Sequence, residues 1–206
     1  MFYEPKPGMK PAGLPHDPFK SLVVPRPIGW ISTVDPDGVV NLAPYSYFNA
    51  VSSEPPIVLF ASNHAKGDDR RKDSHRNAER TGGFVVNLAT YDLRNQMNAS
   101  SAQVPPEVDE MALAGLTAAP SRLVKAPRVA EAPVHLECRY MQTVQLPSWD
   151  PKASNAIVIG EVVGVHIADE FITDGRVDVG KLRPIARLGY MDYAVVDTIF
   201  SLDRPR

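Results

Sequence analysis

The densest concentration of chemically useful side chains lies between Ser62 and Arg80, at the run His64-Ala65-Lys66-Gly67-Asp68-Asp69-Arg70-Arg71-Lys72-Asp73-Ser74. From Ser74 to Arg80 the composition is helical, and Gly82-Gly83 stops it, as glycine does just past a helix end. A helix start exposes unpaired backbone N–H groups and the positive end of the helix dipole. Lys72 stands immediately upstream, with Arg70 and Arg71 beside it, and Ser74 adds a hydroxyl. A phosphate needs a cation together with N–H and O–H donors, and one turn of chain supplies all of them. Asp73 would repel an anion if it pointed inward, so it reads as the N-cap, its carboxylate accepting backbone N–H bonds. A solvated charged loop before an ordinary capped helix would look the same locally.

A second segment, Asn41-Leu42-Ala43-Pro44-Tyr45-Ser46-Tyr47-Phe48, mixes small, hydroxyl and aromatic residues. A planar heterocycle needs flat apolar packing and a few polar partners at its edge, which these residue types offer. A strand and turn whose aromatics belong to the core is the competing reading. Other chemistries find less support. His16, His64, His75, His135 and His166 are scattered without metal-ligand spacing, and surface positions are the default for His64 and His75. Cys138, the single cysteine, reads as a buried thiol rather than a nucleophile and allows no intrachain disulfide. No G-x-S-x-G elbow and no G-x-G-x-x-G fingerprint occurs. Trp149 lies in a proline-flanked loop, as a cleft cover or a loop anchor.

The elements that must position these residues are mostly strands. Ile28–Val34 is a β-type run, Asp35-Pro36-Asp37-Gly38 a turn, and Val39–Pro44 the returning strand of a hairpin. Tyr45–Val51 is a further ordered piece. Ile57–Ala61 is continuously apolar and reads as a strand buried on both faces. Phe84–Leu88, Val134–Tyr140 and Ala156–Ile167 are further strands, the last with Gly160 and Gly164 as expected bulges or bends. Tyr91–Ala102 and, more weakly, Glu107–Ala114 read as helices, and Leu146–Pro151 as a loop. About seven strands at short spacing, without βαβα alternation, predict a closed or partly open β-barrel. Residues 1–24 are proline-rich and read as an arm lying on the barrel or on a partner subunit, ahead of a single domain over 25–206.

Composition bounds the rest. With 206 residues, 44% hydrophobic and 22% charged, the chain can bury a core without staples. A net charge of −2 gives neither a nucleic-acid footprint nor a polybasic membrane patch. No apolar run reaches membrane-spanning length, and Met1–Lys6 is not followed by the apolar stretch of a signal peptide. A cytoplasmic location is the expectation, and a single cysteine fits a reducing compartment.

The ordered set Pro25-Arg26-Pro27-Ile28-Gly29-Trp30-Ile31-Ser32-Thr33, Asn41 to Phe48, Glu54-Pro55-Pro56, Lys72-Asp73-Ser74…Asn77 and Phe84-Val85-Val86-Asn87 resembles the flavin-reductase-like family, with its FMN-binding split-barrel fold. The later Arg187-Leu188-Gly189-Tyr190…Tyr193 resembles that family's C-terminal segment. The resemblance implies a homodimer with FMN near the subunit interface. It implies that Ser32 and Thr33 lie by the flavin's phosphate side or ring, that Pro44, Tyr45, Ser46 and Tyr47 line the isoalloxazine, and that Ser62 and Asn63 follow the ribityl chain. Lys72 and Ser74 would hold the phosphate, with Asp73 beside them. Asn87 would reach the flavin or brace its loop, and Arg187 and Tyr190 would contact FMN or pack at the interface. The implied activity is NAD(P)H-dependent flavin reduction, with NADH or NADPH stacking on the flavin and an oxygenase or redox protein as a partner for the electrons. No catalytic acid, base or nucleophile is required of the protein. Two other readings stay open: a flavoredoxin-like electron-transfer flavoprotein that uses nicotinamide poorly, and a β-barrel interaction module with a vestigial flavin site.

Overall fold

A computed structural model describes residues 1–65, 69 and 71–205. Lys66, Gly67, Asp68 and Arg70 of the charged run therefore lie outside the described residues. Seven strands form one antiparallel sheet: β1 (Gly29–Val34), β2 (Val40–Tyr45), β3 (Phe48–Ser53), β4 (Pro56–Ala65), β5 (Gly83–Leu88), β6 (Val134–Leu146) and β7 (Ser154–Ile167). Their spatial order is β2-β1-β5-β6-β7-β4-β3. The two edges, β2 and β3, follow one another in sequence through Ser46 and Tyr47 but do not ladder together. Instead the sheet curls until the Tyr45 ring meets Phe60 of β4, with centroids 4.8 Å apart, and Ala61 N donates to Tyr47 O at 2.8 Å. This mainly β architecture is the split barrel that the sequence leads one to expect.

The sheet packs apolar side chains on both faces. Ile31, Tyr45, Phe60, Phe84, Cys138 and Val158 cluster on one face and receive Ala78 from helix α1 (Asp73–Thr81). On the other face Trp30, Leu42, Val129 and Ile185 pack with Met97 of helix α2 (Arg94–Ala99) and Met111 of helix α3 (Glu110–Leu113). β1 contributes to both clusters because successive side chains in a strand point to opposite faces. Asn87 fastens this region. Its Nδ2 donates to Trp30 O and to Ser32 Oγ, each at 3.0 Å, and its Oδ1 accepts from Val129 N at 2.9 Å.

Four elements differ from their sequence reading. The run at Ile57–Ala61 is buried on one face only: Val58, Phe60 and Ser62 point into the core, while Leu59, Ala61 and Asn63 are partly open. The run is continuously apolar because that second face lines a cleft. The helix expected over Tyr91–Ala102 is confined to Arg94–Ala99, and that over Glu107–Ala114 to Glu110–Leu113. Their intervening backbone bonds are single turns, with Asp109 capping α3 through Ala112 N. The strand ending at Tyr140 by pattern runs on to Leu146, because its outer half, though exposed on both faces, is held by its pairing with β7. The arm carries one helical turn, Phe19–Leu22, and leads into a small sheet of Arg26–Pro27, Ile185–Arg187 and Tyr193–Val195. The β6–β7 register slips next to Gly160 and next to Gly164, as expected for bulges.

The bulge at Gly160 is also a close approach. A Cβ there would lie 2.6 Å from ring carbons of Phe84, a side chain with no exposed surface. Gly160→Ala should therefore cost about 1–3 kcal/mol of stability by overpacking, read as a lowered urea midpoint at unchanged slope.

Glu137 is the second sensitive point. It has no exposed surface, yet it accepts from the backbone N–H groups of Arg122, Leu123 and Val124, and from His166 Nε2 at 2.6 Å. Burial alone would raise its pKa, but these donors together bring it down from 4.5 to about 2. A depressed carboxylate contributes stability that is present above its unfolded pKa and lost as pH falls through the folded one. Glu137→Gln should thus be destabilising at pH 7 by on the order of 2 kcal/mol. Denaturant titrations should show the gap to wild type closing between pH 4.5 and about 2.

Candidate functional site

The open face of β4 forms the floor of a cleft of about 550 Å³. Leu59, Ala61 and Asn63 line it from β4, and Ile157 and Asn155 from β7. Ser46, Tyr47 and Phe48 enter from the link between the two unpaired sheet edges, and Phe19 and Val23 reach in from the arm. The walls are mainly apolar, with a few polar groups at the edge. Among the described residues, two buried polar atoms of the lining have no hydrogen-bond partner, Asn63 Oδ1 and Arg26 Nε, and on the core side of the same strand Ser62 Oγ has none either. Buried polar atoms left unpaired are uncommon in folded proteins and call for a partner from outside the chain.

Arg26 stands at the arm side of the cleft. Its guanidinium lies 5.7 Å from the Tyr47 ring centroid and donates to Lys20 O and, at 2.8 Å, to Val23 O. It therefore ties the arm's helical turn over the cleft. In register opposite Arg26 is Arg187, whose guanidinium donates to Tyr193 Oη and Tyr190 O and stacks over Tyr193 at 4.5 Å. Tyr190 is half-exposed, has a left-handed backbone (φ 50°) and meets His16 edge-on. The structure thus groups Arg187 and Tyr190 with the arm rather than with the floor of the cleft.

Tyr45, next to the cleft-lining Ser46, packs between Phe60 and the start of α1. Its phenol is buried, with the Ser74 hydroxyl beside it, and desolvation pushes its pKa up to about 12. The Lys72 ammonium lies 5.8 Å from the Tyr45 ring centroid. Desolvation lowers the Lys72 pKa although the residue remains exposed at the surface, and among the described residues it has no carboxylate partner. Its neighbour differs: Arg71 is committed to Asp69 at 2.5 Å and Glu79 at 2.6 Å. The first helical bond of α1 runs from Arg76 N to Lys72 O. The N–H groups of Asp73, Ser74 and His75 therefore precede the helical ladder and point out of the helix start.

Asp73 is not the N-cap. Lys72 occupies that position without a side-chain cap, and Asp73 is the first helical residue, its carboxylate paired with Arg76 three residues on. The pairing holds the negative charge along the helix, out of line with the free N–H groups. His75, expected at the surface, is buried; its Nε2 meets Glu79 Oε1 at 3.1 Å. Glu79 also accepts from Thr143 at 2.7 Å and from Arg71; these donors set its pKa down to about 2 against the effect of burial.

Other sequence candidates serve the interior. Ser32 is fully buried; its hydroxyl donates to Pro127 O at 2.5 Å and accepts from Asn87. Asn87, with all its hydrogen bonds inside the protein, braces β1 and β5. Thr33 donates to Asn41 Oδ1 at 3.3 Å, and Pro44 lies in β2 opposite Trp30. Trp149 is exposed and does not line the cleft.

One cluster escaped the sequence reading. Glu110 of α3, buried, accepts from Asn41 Nδ2 at 2.9 Å and from Leu42 N at 3.0 Å. Asn41 Oδ1 in turn accepts from Ser74 Oγ at 2.6 Å, and Asn77 Nδ2 donates to Thr33 Oγ1 at 3.4 Å. Glu110 is far from Asn41 in sequence and sits on a single helical turn, so no local pattern marks it. The only available sign was a glutamate on the inner side of a weakly apolar helix.

Comparison with known proteins agrees with this geometry. The sequence family described as flavin reductase like domain matches residues 21–185. An uncharacterised protein of Halalkalibacterium halodurans is 37% identical over 183 residues, 89% of this chain and 87% of that one. One from Aquifex aeolicus is 40% identical over 169 residues, covering 82% and 83%. Among solved structures, nitrilotriacetate monooxygenase component B from Bacillus cereus superposes with a TM-score of 0.84 at 31% identity, over 97% of this chain and 100% of that one. The 2-nitrobenzoate 2-nitroreductase of Pseudomonas fluorescens gives 0.78 at 27% identity, over 91% and 88%. The flavoredoxin of Desulfovibrio vulgaris gives 0.74 at 19%, a likeness of fold, covering 97% of each chain. With the family match spanning most of its length, and with relatives of 37% and 40% identity over most of the chain, the chain belongs to the flavin-reductase-like family.

Proposed function

We propose that this chain binds FMN and acts as an NAD(P)H-dependent flavin reductase. The observation that carries the reading is continuity. An apolar cleft lined by Tyr47, Phe48 and the unpartnered Asn63 lies on one side of the link at Ser46, and Tyr45, next in sequence, has the Lys72 ammonium 5.8 Å from its ring at the start of α1. Tyr47 and Phe48, with Ser46 between the sheet edges, offer the ring its flat contacts, and Pro44 and Tyr45 back that wall. Asn63, unpartnered in the cleft wall, would bond the ribityl hydroxyls, whereas Ser62 faces the core. Lys72 supplies the cation for the phosphate, and the N–H groups of Asp73, Ser74 and His75 supply neutral donors.

The bound flavin would supply the hydride chemistry. The protein's part is to hold the ring, exclude water from one face and leave the other face open to a nicotinamide. The apolar arm residues Phe19 and Val23 border that open side. The likeness to nitrilotriacetate monooxygenase component B supports delivery of reduced flavin or its electrons to an oxygenase or redox partner. Exposed Met141, Val144 and Leu146 on the outer half of β6 support a homodimer. A cytoplasmic setting is consistent with the single buried thiol of Cys138; no helix among the described residues is long and apolar enough to cross a membrane.

Purified protein should take up FMN, with quenching of flavin fluorescence, and should oxidise NADH or NADPH when flavin is added. Failure to bind FMN would refute the reading. Binding without turnover on either nucleotide would replace the reductase with an electron-transfer flavoprotein.

Lys72→Ala should weaken FMN by about 1.5–3 kcal/mol, the loss of one charge-assisted hydrogen bond, and leave riboflavin nearly unaffected. Equal losses for both ligands in fluorescence titrations would show that Lys72 supports the fold rather than the phosphate.

A further inference from the structure

Before the barrel begins, the chain makes one helical turn, Phe19–Leu22, that carries no buried residue. Phe19 and Val23 line the cleft, yet they are 50% and 53% exposed. The turn is held from outside itself. Arg26 Nη1 donates to Lys20 O and to Val23 O. Ser21 lies against Gly189, where an added Cβ would stand 2.7 Å from the Cβ of Ser21. A segment with so little buried surface belongs to the low-stability end of a fold, where local opening costs least. Its docking over the cleft depends on Arg26.

Arg26 is only 7% exposed, and it faces two ways. A guanidinium is a planar fork whose N–H groups keep fixed directions. With Nη1 committed to the arm, the direction of Nε–H is set, and Nε has no hydrogen-bond partner among the described residues. Arg26 lines the cleft, its guanidinium 5.7 Å from the Tyr47 ring centroid. In the same lining Asn63 Oδ1 also lacks a partner. The cleft therefore holds an unused donor and an unused acceptor among aromatic and aliphatic walls. A flat heterocycle with carbonyl and N–H groups along one edge answers both, and its apolar body would cover Phe19 and Val23.

We propose that Arg26 couples the cleft to the arm: the edge of a bound flavin ring accepts from Nε, the guanidinium is thereby held where Nη1 grips Lys20 O and Val23 O, and the arm closes as a strap over the occupied cleft. The proposal rests on the flavin reading above. It concerns the ring alone, so riboflavin and FMN act alike. Every contribution has the same sign. Nε gains the partner it lacks in the empty cleft, which a buried donor otherwise misses at a cost. The guanidinium loses the freedom to swing away from the arm carbonyls. Phe19 and Val23 exchange water for the ring, which favours the docked arm in proportion to the apolar area covered. Such coupling is reciprocal: the factor by which a bound ring favours the docked arm is the factor by which the docked arm favours the ring.

The arm carries its own reporter. Of the four lysines and arginines in the first 27 residues, Lys6, Lys10 and Arg26 precede proline, where trypsin does not cut, and Lys20 precedes Ser21. Trypsin cleavage after Lys20 reads the population of the open arm as long as reclosing outpaces cleavage. Flavin binding is followed in parallel by fluorescence titration. In the wild type, saturating riboflavin or FMN should slow cleavage after Lys20 by about five-fold or more. Gly189→Ala crowds Ser21, does not line the cleft and leaves Arg26 in place. It should speed cleavage of the free protein, with flavin still slowing it about as in the wild type. Arg26→Gln should also speed cleavage, but flavin should no longer slow it. Full protection retained in Arg26→Gln would overturn the proposal. Protection lost equally in both variants would overturn it too, since the link would then be arm packing and not Arg26. So would protection by FMN and none by riboflavin. The wild-type comparison decides the matter even if a variant fails to fold. No flavin binding at all would sink the flavin reading and this inference together, whereas binding without protection in the wild type would sink the inference alone.

Discussion

The structure depends on an edge that does not close. β2 and β3 leave one another at Ser46 and Tyr47 and end on opposite margins of a seven-stranded sheet. Unpaired strand edges are a liability unless something covers them. Here the sheet curls until Tyr45 rests against Phe60 and Tyr47 O accepts from Ala61 N. The gap is thus narrowed without a ladder. Curling exposes the second face of β4, and that face becomes the floor of the cleft. A closed ladder at this point would leave no room for a ring-sized ligand, and a flat sheet would leave no wall.

Charge is distributed to match. Glu79 and Glu137 are surrounded by donors and kept ionised despite burial. Arg71 and Arg76 are consumed by Asp69, Asp73 and Glu79. Lys72 stands outside these pairs among the described residues, over an aromatic ring and beside a helix start. A cation so placed remains able to interact with a visitor, because no internal partner must first be displaced. The contrast between Arg71 and Lys72, adjacent in sequence, shows that the role of a charge is set by where its side chain can reach.

The fold was legible from the chain to a large extent, since turn chemistry at Asp35–Gly38, glycine stops at Gly82 and glycine bulges at Gly160 and Gly164 are local signals. Strand lengths were less so: the outer half of β6 carries exposed Met141, Val144 and Leu146 and gives no half-buried pattern to read. In the site, Lys72, Ser74, Tyr45 and Tyr47 stood out by type and spacing. What could not be read was direction. Ser32 and Asn87 have the same chemistry as ligand-binding residues, and only the fold turns them toward Pro127, Trp30 and Val129. The Asp73 cap failed because Arg76, one turn on, is a stronger partner than the helix N–H groups. Glu110 was invisible because its meaning lies in Asn41, on a strand brought near only by folding.

The clamp of Arg26 on the carbonyls of Lys20 and Val23 divides the molecule in a way that bears on how such proteins diversify. The floor of the cleft is built from strands whose other face makes the core, so changes there put folding at risk. The rim at Phe19 and Val23 comes from a single helical turn, held by its backbone rather than by its side chains. Its side chains can be exchanged while the clamp persists. Variation in the arm is therefore an inexpensive route by which one scaffold can change the rim of its cleft while keeping the floor.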